Sequence, residues 1–143
     1  MIIKVVNFET LSRQYVPYQD GITNITNVKK DFIAKLEPFK KELESIINRS
    51  QSGEQLDETT QTRFNELQEY AVSVDEDFKS TMRKMNDELS KNIYGELAEI
   101  IEVWSQKNNI DMIIGSTEVV FLKDKHDVTE QVLEVIREKE LHV

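Results

Sequence analysis

Residues 56–108 have the sequence LDETTQTRFNELQEYAVSVDEDFKSTMRKMNDELSKNIYGELAEIIEVWSQKN, and this stretch decides the fold. It contains no proline and a single glycine, Gly95. Its apolar residues recur at spacings of three and four, which places them on one face of a helix. They are Phe64, Leu67, Ala71, Val74, Phe78, Met82, Met85, Leu89, Ile93, Leu97, Ile100 and Trp104. Such a helix is roughly 75–80 Å long. We therefore expect it to project from any compact body that this chain can form.

A second apolar stripe precedes this stretch and predicts another long helix over residues 23–49. Its seam consists of Ile22, Ile25, Phe32, Leu36, Phe39, Leu43 and Ile46. Pro38 lies inside the pattern and predicts a bend, because proline cannot donate the helical hydrogen bond. The connection at residues 50–55 is polar and contains Gly53. Two striped helices joined so closely predict an antiparallel hairpin with its tip near residues 50–56.

The two ends of the chain carry short apolar runs that predict strands. We expect strands at residues 2–8, 110–114 and 119–122, the last two forming a β-hairpin around the turn at residues 115–117. A short helix is predicted at residues 10–15, after which Pro17 and Gly21 should interrupt the chain. Asp127 lies three residues before Glu130, a spacing that resembles a capping box at the start of a last helix.

These elements predict a mainly α protein with a small β body. Residues 1–21 and 90–143 should form the body, and residues 22–89 should form a long antiparallel helical-hairpin (coiled-coil) arm that projects from it. Three short strands with a few turns of helix make a poor independent core, so we expect self-association through the β-rich body. The residues expected at that oligomeric interface are Val5, Phe8, Ile113, Val119 and Phe121.

Composition and charge exclude several classes of function. Hydrophobic residues make up 38% of the chain and charged residues 31%, with a mean hydropathy of −0.51. The net charge of −9 argues against a nucleic-acid partner. No apolar run reaches the roughly 20 residues that cross a bilayer. The first residues do not resemble a signal peptide. The expectation is a cytoplasmic protein as encoded from Met1, or a periplasmic one if Met1 replaces a removed leader.

Catalytic and metal-binding patterns are missing from the sequence. There is no glycine-rich phosphate loop, no nucleophile elbow and no zinc or calcium motif. Cysteine is absent, and the two histidines, His126 and His142, lie in polar settings where a solvated side chain is expected. We therefore expect neither an enzyme nor a bound metal or cofactor.

The aromatic and thioether side chains of the two long helices are the candidate binding surface. We single out Phe39, Ile46, Phe64, Tyr70, Phe78, Met82 and Met85. Methionine side chains adapt to different surfaces, so they suit a site that binds clients of different sequence. The alternative interpretation is that nearly all of these residues fill the seam between the helices. Tyr70 lies off the main stripe and is the best single candidate for contact with another molecule.

Four segments give the chain a family resemblance. They are residues 3–11 (IKVVNFETL), 109–115 (NIDMIIG), 118–121 (EVVF) and 127–133 (DVTEQVL). Together they resemble the opening and the ending of the Skp/OmpH family of holdase chaperones. The resemblance implies a homotrimer with three tentacle-like helical hairpins that enclose unfolded client proteins, typically outer-membrane proteins, without using ATP.

The charge of the arm departs from the family pattern, in which arms are basic. Residues 29–89 contain ten Lys or Arg against fourteen Asp or Glu. Contact with lipopolysaccharide or an anionic membrane is therefore not expected. The alternative to a holdase is a structural or adaptor coiled coil whose hairpin docks one specific partner.

Overall fold

The structure is a computed structural model that describes residues 1–141. In chain order it contains β1 (Ile3–Val6), α1 (Phe8–Gln14), α2 (Val16–Gln51), α3 (Glu58–Lys107), β2 (Met112–Gly115) and α4 (Thr129–Leu141), with short 3-10 turns at Ser116–Glu118 and Asp124–His126. The predicted fold class, mainly α with a small sheet and two long helices, is confirmed. None of the helices in the described part of the chain has an apolar segment long enough to span a bilayer.

The chain divides into two compact units. The hairpin unit is Asn24–Asn86, and the terminal unit is Met1–Thr23 together with the chain from Asp87 onward. The hairpin unit contains most of α2 and the first half of α3. The terminal unit contains β1, α1, β2, α4 and the remaining turns of the two long helices.

Side-chain pairs show that α2 and α3 run antiparallel within the hairpin unit. The ring of Phe32 meets Phe78 edge to face, with centroids 5.4 Å apart, and Phe39 contacts Tyr70 at 4.5 Å. A later position on α2 thus pairs with an earlier one on α3. Ile46 and Leu67 are the buried apolar side chains of this unit. The predicted antiparallel hairpin is confirmed.

The turn of the hairpin is built by local hydrogen bonds. Helix α2 ends at Gln51, and Gly53 adopts a φ of 87°, a conformation that glycine accepts without a steric cost. The Arg49 guanidinium then donates to both carboxylate oxygens of Glu54, at 3.0 and 3.2 Å. Helix α3 begins after Asp57, whose Oδ1 accepts from the Thr60 N–H at 2.7 Å. This is a regular acidic N-cap.

Helix α2 begins earlier than predicted, at Val16 instead of residue 23. Pro17 lies in the first helical turn, where a backbone N–H would have no acceptor within the helix, so proline is tolerated there. Gly21 lies inside the helix and is not a break. The side chain of Leu89 occupies the space that a Cβ atom on Gly21 would take, so a larger residue here would require Leu89 to move. Pro38 is also inside α2; the bend predicted there stays a prediction.

The sheet differs from the predicted β-hairpin. Strands β1 and β2 pair in parallel, with Ile3 opposite Met112 and Val6 opposite Gly115. The strand predicted at residues 119–122 was wrong. After Gly115 the chain enters a 3-10 turn, and Val120 and Phe121 are exposed. A strand needs a hydrogen-bonded neighbour, and within residues 1–141 the sheet contains only β1 and β2.

The N-terminal strand is shorter than predicted because Asn7 caps α1. Its Oδ1 accepts from the Thr10 N–H at 3.1 Å, so Phe8 is the first residue of a helix and not the last of a strand. The Asn7 N–H in turn donates to Oγ1 of Thr129 at 2.8 Å. This bond ties the start of the chain to the start of α4.

Helix α4 closes the core of the terminal unit. Val132, Leu133 and Ile136 are buried against α1 and α3. The full buried cluster is Val6, Leu11, Ile93, Leu97, Ile100, Ile101, Val128, Val132, Leu133 and Ile136. Asp127 Oδ1 accepts from the N–H and the hydroxyl of Thr129, at 2.9 and 2.6 Å. In a capping box the Asp127 N–H would donate to the side chain of Glu130. Here it donates to the Asp124 carbonyl instead, at 3.1 Å.

Candidate functional site

The residues proposed to bind clients lie along the stripe where the two helices meet. Ile46 is buried, Tyr70 is exposed, and Phe39, Phe64, Phe78, Met82 and Met85 are half-buried. The rings of Phe39, Tyr70 and Phe78 each contact a ring of the opposite helix. This placement favours the seam-filling interpretation for these three residues and Ile46. A role for the set in client binding stays a prediction.

A second group of apolar side chains in the hairpin unit is exposed. Ile33 and Val72 keep 54% and 59% of their surface in water, and Ile47 is also exposed. Ile33, Ile47 and Val72 each follow a stripe residue directly, so they lie on the flank of the seam. We did not single them out from the sequence. The signal was present, since an apolar residue next to a stripe position cannot share its face.

An ion-pair cluster sets the register of the two helices near the turn. The Arg63 guanidinium donates to both carboxylate oxygens of Glu42, at 2.7 and 3.0 Å, and lies 3.6 Å from Glu66. The hydrogen bonds from Arg63 lower the pKa of the Glu42 carboxyl. All three side chains are well exposed, so the cluster contributes specificity of pairing more than stability.

The residues predicted at an oligomeric interface have different positions in the terminal unit. Val5 is buried in the core of the single chain, so its side chain is not free for another copy. Phe8 is half-buried and stacks on Tyr94, with ring centroids 5.1 Å apart. Ile113 and Val119 are half-buried, and Phe121 is 78% exposed. The structure brings Phe8 and Ile113 together at one groove and leaves Phe121 outside it.

This groove, which we call the β2 groove, has a volume of about 680 Å³. Its apolar lining includes Phe8, Tyr94, Ala98, Ile101, Met112 and Ile113. Strand β2 pairs with β1 on one side, and within the described chain its other edge has no partner strand. Ser105, also in the lining, has a buried Oγ without a hydrogen-bond partner among residues 1–141. An open strand edge beside apolar side chains is suited to receive another segment of chain.

A tyrosine and a histidine of the terminal unit lie in partly buried settings. Burial raises the pKa of the Tyr15 hydroxyl, and the carboxylates of Glu96 and Glu140 raise it further. No cluster of three or more His, Asp or Glu side chains within residues 1–141 could hold a metal ion. His126 is half-buried and lines a separate groove. His142 lies outside the described residues.

Comparison with known proteins agrees with this fold. The sequence model of the family described as outer membrane protein (OmpH-like) matches residues 3–136. No curated protein matches the sequence significantly. Among solved structures, the chain is similar to a protein from Caulobacter crescentus described as an outer membrane chaperone (OmpH-like), with a TM-score of 0.66 and 11% identity. That match covers 96% of this chain and 84% of the other.

Proposed function

Because the chain belongs to the OmpH-like outer membrane protein family, we propose that it acts as an ATP-independent holdase chaperone. It binds unfolded or unassembled proteins between helical hairpins and prevents their aggregation. The observation that carries this proposal is the hairpin unit itself, whose seam is filled and whose flanks still expose Ile33, Ile47 and Val72. Isolated apolar side chains along a long surface give many weak contacts, which hold a client without demanding one sequence.

The proposed assembly is a homotrimer held by the terminal units. Each β2 groove offers an open strand edge and an apolar wall, and each chain also exposes the apolar residues Val120 and Phe121. In the assembly, residues 119–122 of one copy pair with β2 of the next. This contact would give those residues the neighbouring backbone that a strand requires. It also explains why their strand-like sequence is not a strand within one chain.

The experiment is aggregation suppression, measured by light scattering on two unrelated denatured clients. A triple variant with Ile33→Ser, Ile47→Ser and Val72→Ser should need at least about tenfold more protein for the same suppression, because each buried aliphatic side chain contributes ~1–2 kcal/mol. The matched control is Val103→Ser, which removes a similarly exposed aliphatic group from the terminal unit. It should act like the wild type.

Two results would contradict the proposal. If the wild type suppresses aggregation of neither client, the protein is not a holdase, and an adaptor that docks one specific partner explains the hairpin better. If the triple variant suppresses both clients as well as the wild type does, the flanks of the hairpin are not the client surface. Helical circular dichroism must match between the variants, since the substitutions are all at exposed positions.

A further inference from the structure

A second groove of the terminal unit, which we call the basic groove, lies where the start of the chain meets the loop before α4. Its volume is about 550 Å³. Lys4, Lys125 and His126 line it together with Trp104, Asn108 and Gln131, and aliphatic residues from both ends of the unit complete the wall. The groove therefore combines cationic groups, amide groups and an apolar surface.

The charge of this groove is opposite to that of the chain. The protein carries a net charge of −9, yet no acidic residue is found among those that line the basic groove. Lys4 Nζ donates to the Lys125 carbonyl at 3.2 Å, which places both residues at the same rim and leaves two further protons on the ammonium group. Neither lysine has an ion-pair partner among residues 1–141. Two ammonium groups at one rim can therefore each donate to an anion.

The remaining lining contributes a buried polar atom without a partner and an apolar wall. His126 Nδ1 is buried and has no hydrogen-bond partner in the described part of the chain. Buried polar atoms without partners are rare, because each one costs free energy. Trp104 is half-buried, packing against the core of the unit while it also lines the groove. A small inorganic anion would meet the lysines but leave this apolar wall in water.

We propose that the basic groove binds an aliphatic carboxylate. The carboxylate accepts hydrogen bonds from Lys4 and Lys125, and the aliphatic chain lies along Trp104 and the aliphatic wall. Charge-assisted hydrogen bonds supply the preference for an anion, and apolar burial supplies the preference for a chain. This site shares only Ile110 with the β2 groove and no residue with the hairpin flanks, and it does not depend on the holdase proposal.

The test uses the full-length protein and the fluorescence of Trp104, its single tryptophan. Decanoate is titrated below its critical micelle concentration. Decanol is the control probe that has the same alkyl chain but no charge. Inorganic phosphate is the probe that keeps the charge and lacks the chain. Decanoate should change the emission saturably and bind at least about tenfold more tightly than either control.

The variants are Lys125→Gln and the double variant Lys4→Gln with Lys125→Gln. Each should weaken decanoate binding, the double variant by at least about tenfold. Lys4 contacts the backbone carbonyl of Lys125 and not its side chain. The Lys125→Gln variant therefore keeps this hydrogen bond and should fold. Lys91→Gln is the matched control, because Lys91 is exposed and lies outside the groove. Equal affinity for decanol and decanoate, unchanged binding in the double variant, or no saturable signal would each overturn the proposal.

Discussion

Phe121→Ser is the sharpest test of the proposed assembly. Phe121 keeps 78% of its surface exposed in the single chain, so within one subunit its removal should change the free energy of unfolding by less than about 0.5 kcal/mol. In the proposed trimer the ring is covered by a second copy. Burying a phenylalanine side chain contributes about 2 kcal/mol, which over three symmetric contacts is about 6 kcal/mol.

This free energy predicts a large shift in assembly. Since about 1.4 kcal/mol is a factor of ten, the trimer dissociation constant should rise by about four orders of magnitude. For three chains that constant scales with the square of concentration, so the midpoint of dissociation should move about a hundredfold higher. Sedimentation equilibrium over a dilution series measures this midpoint directly. Circular dichroism on the same samples checks that the subunit remains folded.

The control is Leu141→Ser, which removes another strongly exposed apolar side chain, 80% in water, from the terminal unit. It should leave the midpoint of dissociation unchanged. If Phe121→Ser dissociates at the same concentration as the wild type and Leu141→Ser, the reasoning that residues 119–122 complete the sheet of another copy is refuted. A wild-type protein that is monomeric at all concentrations would refute it as well.

Three further predictions concern the two units. Phe64→Asp places a charge in the helical seam, and it should lower the helical signal of the hairpin while the mass measured by light scattering stays that of the wild-type assembly; a loss of assembly would contradict the division of roles. Leu97→Ala removes a fully buried side chain and should lower the free energy of unfolding by about 2–5 kcal/mol in urea, and a cost below 1 kcal/mol would contradict its place in the core. Glu42 has a lowered pKa because Arg63 hydrogen-bonds to it. The ionised carboxylate therefore stabilises the hairpin above the ordinary pKa of glutamate, and this stabilisation is lost as the pH falls through the lowered pKa. Glu42→Gln should make the stability of the hairpin less sensitive to acid than that of the wild type or of Glu44→Gln, in acid unfolding followed by circular dichroism.

The helical part of the fold could be predicted because its signal is local. The boundaries of α3 lie within two residues of the predicted ones, since a spacing of three and four is repeated over the whole stretch. The antiparallel hairpin followed from two stripes and a short polar connection. Gly21 was misread because its reason is a contact with Leu89, which is far away in sequence.

The candidate site was less predictable than the fold. A stripe identifies which residues face a partner, but it does not say whether that partner is the other helix or a client. The ring contacts of Phe39 and Phe78 assign these residues to the seam. The spacing already places Ile33 and Val72 beside the stripe, but only the packing shows which stripe residues the other helix covers.

The sequence by itself determined the two long helices, the hairpin and the family, because helical periodicity and short motifs are carried by residues close together in the chain. Only the tertiary structure decided the sheet. Strand β1 pairs in parallel with β2, so that Ile3 lies opposite Met112, and the strand-like residues 119–122 are left without a neighbour. A strand is stabilised by the backbone beside it, and which backbone lies there is settled by how the distant ends of the chain pack together.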